Sequence, residues 1–236
     1  NPSLGSACNV EQVDTRLKTY CFTNFHAEEF NPNERFIILD RLYKREGYSS
    51  GLGFPISLDE PILKYFASPI FEYSSNINGG NPDKPLNLGS LAFRGDPDLI
   101  QKQSGIGGIR LGTSGRHLYG QGRYLDFYFE GSLSRSFNYD LWIAENFLSI
   151  CSKNLLNKYW YFDVCSTSAR SIKDLTDSLV KKTSFSFEHL YTINDKSYHQ
   201  ASLGVARRFD KSHVQNQITL GLDTIYPDGF FSAISV

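Results

Sequence analysis

Four charged side chains on neighbouring segments are the first candidates for chemistry. Asp126 and Glu130 are close in the chain, and Arg110 and Lys64 lie on segments that a sheet would bring beside them. Alternate residues of a strand point to opposite faces, so Asp126 and Glu130 share one face of a strand over residues 125–133. In a barrel all four would face the lumen. They predict either a charged constriction that selects solutes or ion pairs that hold a filled interior together.

The chain offers little for metal binding or catalysis. Its five histidines show no ligand spacing, and it has no Cys-x-x-Cys pair. Asp96 and Asp98 carry oxygens that suit calcium, but two acids around a proline are typical of turns. Glu188 cannot orient His189 as a catalytic base, because neighbours in a strand point to opposite faces. We therefore expect no enzymatic activity, no catalytic residue, no metal and no cofactor.

The four cysteines form two local pairs, Cys8 with Cys21 and Cys151 with Cys165. Such an even count predicts two disulfides and an oxidising compartment. Three connectivities are open, and the pairing of Cys151 with Cys165 across a hairpin is favoured. The chain has no methionine and no usable Asn-x-Ser/Thr acceptor. These absences predict a processed signal peptide and favour a bacterial secreted protein.

Alternation of apolar and polar residues predicts the elements that position these side chains. In residues 125–133 the apolar side chains fall on odd positions and the polar ones on even positions. The same period recurs in residues 183–193 and 214–226, which is typical of two-faced strands. Such a strand faces either a core and water, or lipid and a polar lumen.

About eight to ten such segments follow one another at hairpin spacing. Besides a candidate strand near residues 63–73, they are residues 106–113, 123–134, 139–151, 158–168, 183–193, 198–209 and 214–226. The short connections predict an antiparallel meander. The fold class is therefore all-β, and we expect the meander to close into a small β-barrel, because closure removes the exposed edges of long strands.

Three parts of the chain fall outside this pattern. Residues 1–31 are predicted to be an appendage with a short helix tethered by a disulfide, which leaves residues 32–236 for the barrel domain. Residues 36–43 fit a first strand or the end of a helix equally well. Residues 172–182 have apolar positions at helical spacing among charges, and we expect a helix or a long polar hairpin loop there.

Composition narrows the function classes. The net charge of −1, with both signs interspersed, gives no reason to expect nucleic acid as a partner. No apolar run approaches the roughly 18 residues of a transmembrane helix. Aromatic residues make up 14% of the chain, which is ordinary for barrel-forming β proteins. Those near strand ends are expected either to form aromatic girdles or to be half-buried strand residues, namely Tyr124, Tyr128, Tyr159, Trp160, Tyr161 and Tyr191, together with His189.

Over residues 61–236 the chain resembles Gram-negative outer-membrane β-barrel proteins, with aromatic-rich strands that alternate with Gly, Ser and Thr. Residues 69–80, Pro-Ile-Phe-Glu-Tyr-Ser-Ser-Asn-Ile-Asn-Gly-Gly, look like the opening strand and loop of surface lipoprotein assembly modulators. The resemblance implies a bacterial outer-membrane location and outer-membrane lipid as a partner. It also implies a pore or translocation component that works with other envelope proteins.

Two further functions fit the same residues. One is a structural or adhesive subunit of a cell-envelope or surface assembly. The other is a soluble domain, extracellular or periplasmic, whose aromatic side chains stack on carbohydrate. The sequence leaves the transported molecule and the oligomeric state open.

Overall fold

The computed structural model describes residues 8, 13–24, 32–45, 62–83, 86–88, 91–93, 96–193, 197–211, 213–226 and 230–236. Within these ranges two helices precede the strands, α1 (Thr15–Asn24) and α2 (Pro32–Arg45), and a short 3-10 helix spans Pro97–Leu99. The strands are β1 (Ile62–Ser74), β2 (Leu86–Leu88), β3 (Leu91–Phe93), β4 (Ser104–Gly120), β5 (Arg123–Ser136), β6 (Trp142–Asn157), β7 (Trp160–Ile172), β8 (Asp177–Ile193), β9 (Ser197–Asp210), β10 (His213–Ile225) and β11 (Phe231–Ser235). No helix in these ranges is long and apolar enough to cross a membrane.

Nine strands form one antiparallel sheet in the order β1-β4-β5-β6-β7-β8-β9-β10-β11, and β2 and β3 form a separate hairpin. The prediction of an all-β antiparallel meander is thus confirmed. Strands β1 and β11 lie at the two edges, and within the described residues they do not pair with each other. The predicted closure into a barrel is therefore not confirmed.

The register gives the sheet one polar and one apolar face. Asp126 lies opposite Arg116 on β4 and opposite Cys151 on β6, so these residues share a face. Extending the register across the sheet defines the polar face by Lys64, Arg110, Arg116, Asp126, Glu130, Glu145, Cys151, Asp163, Cys165, Lys182, Glu188 and Arg208. The apolar face carries Leu63, Phe71, Ile109, Phe129, Leu148, Trp160, Phe185, Leu203, Ile218 and Leu220.

The large side chains of the apolar face are not covered by other described residues. Phe71 is 79% exposed, Ile218 is 68% exposed and Leu220 is 56% exposed. A water-soluble monomer rarely exposes a continuous apolar patch of more than a few hundred Å². The buried residues lie instead in two small clusters at opposite ends of the sheet.

Each cluster lies under a different cover. At the end with the short β4–β5, β6–β7 and β8–β9 connections, which we call the helix end, α1 packs against Tyr161, Leu190 and Tyr198. At the other end, the loop end, Ile77 packs against Ile106 and Ile143. Ile77 belongs to residues 75–103, the long connection between β1 and β4 that includes the β2–β3 hairpin.

Two regions differ from the sequence prediction. The helix or long polar loop expected over residues 172–182 is wrong, because a four-residue turn at residues 173–176 is followed directly by β8. Lys181 and Lys182 are neighbours in β8 and point to opposite faces, so a strand can hold both charges without bringing them together. Residues 36–43, which fitted a strand or a helix, lie in α2. The helical region therefore extends past residue 31 to Arg45.

Candidate functional site on the polar face

Arg16 of α1 forms the most buried ion-pair network on the polar face. Its Nη1 and Nη2 donate to Oδ2 and Oδ1 of Asp163 at 2.9 and 2.8 Å, and Nη1 also donates to Oε2 of Glu188 at 2.9 Å. The Arg16 guanidinium lies 4.3 Å from the ring centre of Tyr161. Only 4% of the Arg16 side chain is exposed, so this network holds α1 against β7 and β8 in a setting with little water.

The second helix completes the cover at the helix end. Leu42 of α2 belongs to the same buried cluster as α1, and the carbonyl of Arg45 accepts a hydrogen bond from Arg116 of β4. Because α1 contacts β7 to β9 and the end of α2 contacts β4, the two helices bridge distant strands of one sheet. Such bridging requires that the sheet curves with its polar face on the concave side.

Residues 75–103 bridge the sheet in a similar way at the loop end. The carbonyl of Asn78 accepts a hydrogen bond from the backbone N–H of Leu175 at 2.8 Å, and Lys173 donates to the carbonyl of Asn76 at 2.8 Å. Gly79 has φ +75°, and a Cβ atom at this position would overlap the Thr176 side chain. The loop after β1 therefore reaches the β7–β8 turn, and the polar face is covered at both ends.

The predicted site residues all lie on this face, with different partners. Arg110 is 3.2 Å from Glu130, as the sequence suggested. Asp126 instead pairs with Arg116 at 2.6 Å, and that arginine also stacks on the Tyr124 ring at 3.9 Å. Lys64 of β1 lies opposite Ser114 of β4, and it makes no ion pair with any residue that the structure describes. Their roles in a lumen stay a prediction.

A cleft of about 260 Å³ opens on the polar face and is lined by residues of β5 to β8. Glu130 and Glu145 contribute carboxylates to its wall, and Ser171 donates a hydrogen bond to Glu145 at 3.1 Å. Lys182 and Arg208 lie opposite each other on β8 and β9, and both are exposed on the same face. The polar face thus carries charges of both signs: Glu130 and Glu145 lie at the cleft, and β8 and β9 carry Lys182 and Arg208 together with Glu188 and Asp210.

Both predicted disulfides form. Cys151 and Cys165 lie directly opposite each other on β6 and β7, and Cys8 is bonded to Cys21 of α1. The bond between Cys8 and Cys21 confirms the disulfide-tethered helix, and α1 begins at Thr15. Both bonds fit an oxidising compartment.

The expected girdle residues divide between the two faces. Trp160 and His189 stack at 3.8 Å on the apolar face, and Tyr191 stacks on both His189 and His199. Tyr124 and Tyr161 instead lie buried on the polar face and contact Arg116 and Arg16. The apolar face at the helix end thus carries four stacked rings, Trp160, His189, Tyr191 and His199.

His199 also carries a hydrogen-bonded array that the sequence did not reveal. Its Nε2 is 2.8 Å from the Ser197 hydroxyl, and its Nδ1 is 2.9 Å from the Thr224 hydroxyl. Among the described residues no carboxylate hydrogen-bonds to this histidine, so the acidic member of a hydrolase triad is absent from the array. The array ties β9 to β10. No group of three possible metal ligands occurs in the described residues either.

Arg16, Asp163 and Glu188 are the site residues that sequence reasoning missed. Asp163 and Glu188 fall on the polar parity of their strands, so their face was predictable. Their partner is 147 and 172 positions away in the chain, and no local pattern connects them. No protein family, no curated protein and no solved structure matches this chain.

Proposed function

We propose that the chain forms part of a bacterial outer-membrane β protein that serves passage or translocation and is not an enzyme. Its apolar face contacts lipid, and its polar face borders an aqueous interior that α1 and α2 close at one end. The observation that carries this proposal is the exposed apolar face, whose loop-end boundary follows a line oblique to the strand register.

The boundary at the loop end consists of basic residues. Lys181 of β8 lies opposite Ser168 of β7, so Arg170 is two residues closer to the loop end on β7. Lys181 also lies opposite Phe209 of β9, so Arg207 is two residues closer to the helix end on β9. An offset in one direction is expected where strands are tilted against a membrane plane, as barrel strands are, and a tilt of about 40° gives about one residue per strand on average.

The apolar band has the height of a membrane. Ten positions separate Lys181 from Tyr191 on β8, and ten separate Trp160 from Arg170 on β7. At about 3.3 Å per residue this is about 33 Å along a strand. At a tilt of about 40° the interval projects to about 25 Å, the height of the lipid-facing band of outer-membrane barrels.

A charge placed in the middle of this band tests the proposal. Leu203→Arg puts the charge on the apolar face of β9, four residues inside the boundary at Arg207, and the matched variant Ser202→Arg puts it one residue away on the polar face. In lipid, Leu203→Arg should lower the free energy of unfolding by about 2–4 kcal/mol, and Ser202→Arg should lower it far less. Urea unfolding in lipid vesicles measures both values.

The same pair of variants separates the membrane protein from a soluble one. Leu203 is already 45% exposed, so in a soluble domain an arginine there would leave the stability within about 0.5 kcal/mol. Equal stabilities for the two variants, together with full recovery of the protein in a high-salt wash, would reject the membrane proposal. A soluble carbohydrate-binding domain would then explain the chain better.

A structural or adhesive envelope subunit is the second candidate. The observation that favours it is that α1 packs on the polar face at the helix end and Ile77 packs on it at the loop end, so that both ends are covered. Current recording across a bilayer distinguishes the two, because only a passage gives current steps once α1 is released from Asp163 and Glu188.

A further inference from the structure

Four basic side chains lie on one oblique line along the loop-end boundary of the apolar face. From β9 to β5 they are Arg207, Lys181, Arg170 and Arg135, with Ala144 at the corresponding place on β6. Each step along the line changes strand and shifts the register by two residues. The line therefore runs in the direction in which a membrane level crosses tilted strands.

Arg170, Lys181 and Arg207 are close enough to act together. Diagonal neighbours on adjacent strands are about 7–8 Å apart at the backbone, which is within reach of long side chains. All three are exposed. The Arg207 guanidinium lies 4.8 Å from the Phe209 ring centre, so its stem follows apolar surface while its charge stays accessible.

Positive charge is in excess at this place. Asp177 forms ion pairs with Arg170 at 3.0 Å and with Lys211 at 3.7 Å. One carboxylate thus contacts two cations, while Lys181 and Arg207 lie beside it on the same side of the sheet. An anion that bridges Lys181, Arg207 and the free N–H groups of Arg170 would complete this cluster.

The two boundaries of the apolar face differ in chemistry. On β7 to β9 the helix-end boundary consists of Trp160, His189, Tyr191 and His199, which are rings suited to a neutral interface. The loop-end boundary on the same strands carries three cations, with Ile172, Leu179 and Phe209 beyond them on the same face. On these three strands cations occur at one boundary only, which a lipid leaflet with acidic headgroups would favour, whereas β5 has a cation at each end, Arg135 and Arg123.

We propose that Arg170, Lys181 and Arg207 form a binding site for the phosphate of an anionic lipid headgroup at the loop-end boundary. This inference rests on the proposed function, since it needs the apolar face to lie in lipid. The acyl chains of the bound lipid lie along Phe185, Val205 and their neighbours, which are exposed on the same face directly toward the helix end.

The sequence supplies a matched control for this site. Lys181→Gln with Arg207→Gln removes two charges from the apolar face. Lys182→Gln with Arg208→Gln removes the same two charges from the same two strands, one residue further on, where the side chains point to the polar face. The net charge changes equally, so only the face differs.

Fluorescence quenching by brominated lipids measures headgroup preference at this position. A reporter is introduced as Thr183→Trp, which lies opposite Arg207 and two residues from Lys181, in a background with Trp142→Phe and Trp160→Phe. The protein is inserted into vesicles that hold brominated phosphatidylcholine or brominated phosphatidylglycerol. The ratio of the two quenching constants gives the local selectivity for the anionic lipid.

We expect brominated phosphatidylglycerol to quench the reporter more strongly in the otherwise unchanged protein. Each basic residue near an anionic surface strengthens binding about fivefold, so Lys181→Gln with Arg207→Gln should lower the selectivity about 25-fold. Lys182→Gln with Arg208→Gln should change it less than about twofold. Equal loss in both double variants, or no selectivity at the start, would overturn the headgroup site.

Two further results separate the possible failures. A reporter that neither brominated lipid quenches would mean that the apolar face is not in lipid, and the proposed function would then fail as well. Quenching without selectivity leaves the membrane location intact and rejects the headgroup site alone. Loss of the selectivity when inorganic phosphate is added in excess would assign the cluster to free phosphate and overturn the lipid proposal.

Discussion

Replacing Arg16 should release α1 from the sheet. The side chains of Asp163 and Glu188 are 9% and 16% exposed, and Arg16→Ala leaves both carboxylates without their cation. Asp163 then keeps a hydrogen bond from the backbone N–H of Asn154 at 3.3 Å. Glu188 keeps one from the side-chain amide of Gln200 at 3.1 Å. Removing one member of a buried ion pair costs about 3–5 kcal/mol.

That free energy is large against the stability of one docked helix. At about 1.4 kcal/mol per tenfold, it raises the equilibrium constant for undocking between about 100-fold and 5,000-fold. Hydrogen–deuterium exchange measures this constant, because the α1 amides exchange when the helix opens. We expect their exchange to accelerate about 100-fold or more in Arg16→Ala, while the β7 and β8 amides keep their protection.

Arg41→Ala is the matched control, since Arg41 is an exposed arginine on α2. It should change the exchange of α1 by less than about threefold, which corresponds to a surface substitution of about 0.5 kcal/mol. A compensating variant, Arg16→Met with Asp163→Asn and Glu188→Gln, should recover much of the protection because no charge is left buried. Equal exchange in Arg16→Ala and Arg41→Ala would refute the role given to the ion-pair network.

Three further outcomes follow from individual contacts. Cys151→Ser with Cys165→Ser should lower the free energy of unfolding by about 3 kcal/mol, the value for a short closed loop, in urea titrations against a Cys8→Ser, Cys21→Ser variant. Gly79→Ala should lower the resistance of residues 75–103 to proteolysis, because its positive φ and the Thr176 contact cost about 1–3 kcal/mol, whereas Asp83→Ala should not. Asp126→Asn should cost at most about 1 kcal/mol in the same titrations, because Arg116 and Asp126 remain partly exposed.

Current recording decides between the two candidate functions. If the polar face is a passage, Arg16→Ala should give current steps in a bilayer where the unchanged protein gives few. Glu145→Gln on the acidic side of the cleft should then reduce the preference for cations over anions. Silence of Arg16→Ala at all voltages, with α1 undocked by exchange, would favour the structural subunit.

The strands were predictable because their determinants are local. The two-residue period assigned Asp126 and Glu130 to one face and Phe127 and Phe129 to the other, and the register agrees. The pairing of Cys151 with Cys165 was predictable for the same reason, since a hairpin brings its two arms together. Residues 172–182 were misassigned because three apolar positions at helical spacing also occur by chance around a turn.

The site depended on contacts that no period encodes. Arg16 meets Asp163 only because the polar face is concave and α1 lies across it, and curvature cannot be read from the alternation of side chains. The contact of Asn78 with Leu175 joins two loops that are far apart in the chain for the same reason. Asp126 pairs with Arg116 and not with the predicted Arg110 or Lys64, because Arg116 lies directly opposite it on β4.

The strand count of the main sheet has a consequence for its two edges. With nine strands in an antiparallel order, β1 and β11 both run from the helix end to the loop end. Pairing between them would create a parallel seam, with slanted hydrogen bonds that are slightly weaker per residue. A partner that extends the antiparallel pattern at β1 must run from the loop end to the helix end. The direction of β1 alone thus determines which strand can form backbone hydrogen bonds along its thirteen-residue edge, whatever the side chains are.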